Sequence, residues 1–183
     1  MKNKRAADLL WAESVRLFSE MKNMDLTSFL TRLIDIVKSN QDAIYQILEG
    51  RQRTNNYKFT ENEKNIFRFI STITPEKYVI GTTGDDFKLI VEGYINRAPK
   101  SELEVLRRIS KLVKDIITFT SSVVCPQCKS DHLRILTDIE STNLYRHCET
   151  CSFIETSDIE QQTQDSTLFP ANITVLKKAG YLN

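Results

Sequence analysis

Two C-x-x-C pairs, Cys125-Pro-Gln-Cys128 and Cys148-Glu-Thr-Cys151, constrain this chain more than any other feature. Two residues between cysteines let the backbone turn back so that both sulfurs point at one centre, and two such turns supply four donors. Nineteen residues, 129–147, separate the pairs, inside the C-x₂-C-x₁₅₋₂₀-C-x₂-C spacing of zinc sites. A tetrahedral zinc ion takes four thiolates at about 2.3 Å and then has no position left for water or substrate. Cys125, Cys128, Cys148 and Cys151 are therefore expected to ligate one structural Zn²⁺. The alternative use of these four residues, two disulfides, belongs to oxidising compartments.

The residues between and beyond the pairs read as strands. Leu133, Ile135 and Thr137 alternate with Arg134, Leu136 and Asp138, and after Glu140-Ser-Thr-Asn143 the run Leu144-Tyr-Arg-His147 returns as the second arm of a hairpin. Ser152-Phe-Ile-Glu155 can add a third strand. A hairpin bounded by two cysteine knuckles resembles the zinc-ribbon family, and the resemblance covers residues 123–156 only. It implies a small antiparallel β module organised by its metal.

Upstream, hydrophobic spacing is helical. Ala7, Leu10, Trp11, Ser14, Leu17, Phe18 and Met21 predict an amphipathic helix over 6–22. Phe29, Leu30, Leu33, Val37, Ile44, Tyr45 and Leu48 predict a second, capped by Asp25 or Thr27 and running unbroken to Gly50. Thr60-Glu-Asn-Glu63 resembles a capping box ahead of Ile66, Phe67, Phe69 and Ile70. Pro75 ends that helix, Gly81 to Gly84 form a turn, and Asp85 opens a helix with Phe87, Leu89, Ile90, Val91, Tyr94 and Ile95. A long helix follows Ser101, with Val105, Leu106, Ile109, Leu112, Val113, Ile116 and Ile117 on its apolar face. Near the other end, Pro170 is placed at a first helical position, and Ala171 to Ala179 with Gly180 behind form a short terminal helix. The expected fold is α+β: a helical bundle over 1–122, the ribbon over 123–156, and a polar strap with the C-terminal helix over 157–183.

Charge and composition narrow the function. The net charge of +1 divides into +4 over residues 1–122 and −3 over 123–183, and neither part has the basic excess that drives phosphate-backbone binding. Within the ribbon, Lys129, Arg134 and Arg146 face five acids, so Tyr145 and Phe153 are expected to pack rather than stack on bases. The helical stripe Arg107, Arg108, Lys111, Lys114, joined by Arg51 and Arg53, is the best candidate for a basic surface, although such runs are usually solvated faces. No apolar run reaches signal-peptide or membrane-span length, which places the product in the cytoplasm, with no membrane association.

Catalytic equipment is sparse. His132 and His147 are the only histidines, leaving little material for a Ser-His-Asp system, and Gly81-x-x-Gly84 lacks the Lys-Ser/Thr of a phosphate loop. Asp85-Asp86 and Glu61-x-Glu63 sit at helix starts, where acids complement the dipole. Ribbons of transcript-cleavage factors carry acids at the hairpin tip, and Asp138-Ile139-Glu140 stands there in this chain, without the flanking pattern of those factors. The sequence thus reads as a non-enzymatic protein-binding module. In size, composition and lack of catalytic residues it resembles small bacterial immunity and antitoxin proteins, which implies a cognate toxin as partner. A nucleic-acid-binding or transcription-associated regulator is the alternative.

Overall fold

The computed structural model describes residues 2–21, 24–49, 60–80, 91–93, 98–138, 143–156 and 167–183, with side chains from Ala7 onward. The fold is α+β. It divides into two compact units, one from Met1–Pro75 with Thr82–Ile116 and the other from Glu76–Gly81 with Ile117–Asn183. Among the described residues, no helix is long and apolar enough to cross a membrane.

The first unit is helical. Helix α1 (Lys2–Glu20) buries Ala7, Leu10, Leu17 and Phe18, together with Ser14, whose hydroxyl donates to the Leu10 carbonyl at 2.8 Å. Asp25 caps α2 (Leu26–Ser39) by accepting from the Ser28 backbone N–H at 2.9 Å. The long second helix expected to reach Gly50 is two helices. Asn40 ends α2 and α3 (Gln41–Leu48) begins behind it. The Asn40 amide donates to the Ile36 carbonyl at 2.9 Å and to Glu13 of α1 at 3.1 Å, and its backbone N–H turns to Ile36 and Val37. A side chain that competes for the last carbonyls stops a helix even when the apolar period runs on, and Val37, Ile44 and Leu48 are all buried.

Helix α4 (Glu61–Thr72) opens on the expected capping box, with Thr60 and Glu63 satisfying each other's backbone N–H groups. Pro75 follows, starting a 3₁₀ turn over Pro75–Lys77. The expected helix from Phe87 to Ile95 lies outside the described residues except at 91–93, which are helical. Helix α5 (Glu102–Ile117) buries all seven apolar residues expected of it.

The second unit is an antiparallel sheet in the order β1-β2-β3-β4, from β1 (Thr120–Val124), β2 (His132–Thr137), β3 (Leu144–His147) and β4 (Ile154–Thr156). The expected hairpin is present, with Ile135 opposite Arg146 and Leu136 opposite Tyr145. Two strands were not foreseen. β1 pairs with the first part of β2 across a bulge, while β5 (Phe169–Pro170) pairs with Leu136 and Thr137 along the same side of that strand.

Pro170 therefore does not start the last helix. The residue lacks an N–H and suits a strand end, and α6 (Ile173–Lys178) begins after Asn172, whose side chain accepts from the Val175 N–H at 3.0 Å. Gly180, at φ +76°, closes α6 in a left-handed conformation that glycine adopts without strain. Leu176 and Ala171 pack on Ile135, with Val79, Phe119, Leu144, Val175, Tyr181 and Leu182 around them. Helix α6 is thus part of the sheet's core, and the sheet's unit takes in Glu76–Gly81 together with Ile117–Asn183. Residues 157–166 of the expected strap lie outside the described residues.

Candidate metal centre

Strand pairing brings the two knuckles together. Cys125 follows β1 and Cys148 follows β3, and both of these strands are bonded to β2, so the sheet register fixes one C-x-x-C turn beside the other. The four sulfurs all lie within 4.8 Å of one another. Cys125 Sγ is 3.6 Å from Cys151 Sγ, and Cys128 Sγ is 3.6 Å from Cys148 Sγ. A tetrahedron with metal–sulfur bonds of about 2.3 Å has edges of about 3.8 Å. The donor set thus fits one tetrahedral ion, and all four thiols are free.

Each knuckle is closed by its own backbone. The Cys125 N–H donates to the Asp131 carbonyl at 2.7 Å, the Lys129 N–H returns to the Cys125 carbonyl at 3.1 Å, and the Cys148 N–H donates to the Phe153 carbonyl at 2.9 Å. Such tight turns need a left-handed residue directly after the second cysteine of each pair. Lys129, at φ 58°, and Ser152, at φ 59°, fill these places and are the only described non-glycine residues with positive φ. Neither signals its role in sequence, because glycine is the usual occupant of that region.

Side chains tie one knuckle to the other. Thr150 donates to Asp131 at 3.0 Å, and Asp131 also accepts from the His132 N–H at 2.8 Å. Arg134 on β2 pairs with Glu149 between the second pair of cysteines. Beneath the sulfurs, Cys125, Cys148 and Leu133 form a buried cluster, flanked by Cys128, Cys151 and Phe153. Sequence reading found the four donors but missed Asp131, Arg134, Glu149 and Thr150, since short-range cysteine spacing says nothing of the groups that meet across the sheet.

Electrostatics at the sulfurs are uneven. Burial opposes charge on Cys125, yet the N–H groups of Cys128 and Gln127 and the thiols of Cys151 and Cys148 outweigh it and hold the group down at about 7. Burial pushes Cys148 up, and it pushes Cys151 up to about 12 against the single Phe153 N–H. One thiolate is easily carried by this cluster; a second costs more, because a neighbouring negative charge disfavours it. Four thiolates together require a cation.

The other expected residues fall into place as follows. His132 is exposed, His147 lies in β3, and neither belongs to the cluster of metal-binding groups found among the described residues. Tyr145 is buried and Phe153 packs against the cysteines. Asp138 accepts from the Asn143 backbone and side chain at 3.2 and 2.9 Å, which makes it a hairpin clamp, while Ile139 and Glu140 lie outside the described residues. Glu61 binds Lys64 and Arg68, and hydrogen bonds from Arg68 first hold its carboxyl below the ordinary range. Glu63 takes part in the capping box and pairs with Arg107 at 2.7 Å.

The basic stripe of α5 is engaged rather than open. Besides the Arg107 pair, Arg108 binds Glu104 and lies 5.6 Å from the Trp11 ring centroid, and Lys111 reaches Asp115 at 3.3 Å. Lys114 also has a partner. Arg51, Arg53, Gly81, Gly84, Asp85 and Asp86 lie outside the described residues. No protein-family model, curated protein or solved structure matches this chain.

Proposed function

We propose that Cys125, Cys128, Cys148 and Cys151 hold one zinc ion in a closed structural site of the zinc-ribbon kind, and that the chain acts by binding another protein rather than by catalysis. One observation carries this reading: four sulfur donors lie within 4.8 Å of one another on two knuckles of one sheet. An all-thiolate set selects zinc over magnesium or calcium, which take oxygen ligands. Four protein donors complete the shell, so the ion organises the sheet and leaves no vacancy for a substrate.

The protein-binding half of the proposal is supported by charge. Arg107, Arg108 and Lys111 on α5, and Arg134 and Arg146 in the sheet, are each paired with a carboxylate of the same chain. Phosphate affinity comes from unpaired cations that displace the counterions condensed on the nucleic acid, and these five are already matched. The narrower form of the reading is an immunity or antitoxin-type inhibitor that neutralises a toxin by covering it.

Affinity purification of the tagged full chain from its host tests this directly. The expected result is one stoichiometric protein partner whose binding tolerates about 0.5 M salt, a concentration at which exposed charge pairs are largely screened. Recovery of nucleic acid, with binding that falls steeply as salt rises, would favour the regulator instead. For the toxin form, co-expression with the partner gene should protect cells from it, and a harmless partner would discard that form.

A further inference from the structure

Helix α1 has two faces of opposite character. Ala7, Leu10, Ser14, Leu17 and Phe18 are buried, whereas Asp8, Leu9, Ala12, Val15, Arg16 and Ser19 are exposed. At about 100° per residue, those six exposed positions fall within about 60° on either side of Ala12, opposite the buried face. Leu9 is 53% exposed and Val15 38%. Single apolar side chains on a surface need no explanation, but two flanking an alanine on one stripe form a seam. Among the described residues, Asp8 and Arg16 have no ion-pair partner. By contrast, Glu20 of the same helix binds Arg32 at 2.8 Å.

This stripe is its own complement. Asp8 and Arg16 stand four residues to either side of Ala12, and Leu9 and Val15 stand three to either side. When a second copy of α1 is laid antiparallel about a two-fold axis at Ala12, Asp8 comes level with Arg16 of the second copy, about 6 Å along the helix from the axis, and symmetry repeats the pair at the other end. Leu9 and Val15 meet at one height in the same way. The alanine at the centre allows the helix axes to approach to about 8 Å, the close end of helix packing. A parallel arrangement would instead set Asp8 against Asp8 and Arg16 against Arg16.

We infer that α1 is a homodimer face, paired antiparallel about Ala12 with a second copy of this chain. The self-complementary charge pattern is what selects a copy over an unrelated partner. A single helix pair covers less than the roughly 1,200–2,000 Å² of a standard interface, so the dimer is weak, with a dissociation constant on the order of 10–100 μM.

Sedimentation equilibrium of the full chain from about 5 to about 500 μM brackets that range. Wild type should shift from monomer to dimer. Asp8→Arg alone and Arg16→Asp alone place like charges at both ends of the seam and should each weaken dimerisation about tenfold or more, while the equimolar mixture of these two variants and the doubly reversed chain should regain it. Ala12→Glu, which brings two carboxylates together at the axis, serves where circular dichroism shows that either reversal lowers helix content. A wild type that stays monomeric throughout would overturn the proposal. So would a dimer that the reversals and Ala12→Glu leave intact.

Discussion

Lys129 and Ser152 hold equivalent places in the two knuckles, each left-handed and each directly behind the second cysteine of its pair. A residue with a β-carbon costs about 1–2 kcal/mol in that region, and replacing it by glycine costs about 0.5–1 kcal/mol in chain entropy. The balance predicts that Lys129→Gly and Ser152→Gly each raise the stability of the metal-loaded protein by about 0.5 kcal/mol, while Ser152→Val lowers it by more than 1 kcal/mol, read by urea unfolding at pH 7. At this scale the meeting of the four cysteines was legible, because C-x-x-C geometry is a local matter between residues three apart. The supporting residues were not. Asp131, Thr150, Arg134 and Glu149 are ordinary polar residues until strand pairing makes neighbours of the two knuckles.

Among the elements, those whose signals are local were read well. The Thr60 capping box and the seven-residue apolar face of α5 both follow from short-range spacing and both are present. The break at Asn40 was missed because Glu13, on a different helix, helps hold the amide that ends α2. β1 was missed because Thr-Ser-Ser-Val-Val is largely polar, and β5 because it holds only two residues, one of them Pro170. Asn40→Ala, which removes two hydrogen bonds, is expected to cost about 1–2 kcal/mol in urea unfolding without changing the metal content. Glu63 gives an element-level test of pH. Burial pushes its carboxyl up, but the Thr60 N–H and Arg107 outweigh that and leave it below the ordinary range. A lowered carboxyl contributes stability that is complete above its unfolded value of about 4.3 and lost as pH falls through the folded one. Glu63→Gln keeps the cap but not the charge, so it should cost about 0.5–1 kcal/mol at pH 7, and progressively less as pH falls below about 4.

For the whole molecule, the α+β class and the order of helices, sheet and final helix were legible from periodicity together with capping and turn signals. The grouping of Glu76–Gly81, residues 117–122 and α6 with the sheet was not legible, since it rests on contacts that join distant parts of the chain. Because the sheet unit has its own core, loss of a metal ligand should act there first. Cys128→Ser or Cys148→Ser is expected to abolish native packing in residues 117–183 while most of the helical circular dichroism of the first unit persists, and a uniform collapse of both would show one shared core. The central claim is the tetrathiolate ion itself, and zinc X-ray absorption on the freshly purified chain, with metal stoichiometry measured on the same sample, addresses it most directly. The account predicts one zinc per chain surrounded by four sulfurs at about 2.3 Å. Protein that folds with no zinc, or zinc bound through nitrogen or oxygen with an open position, would contradict it.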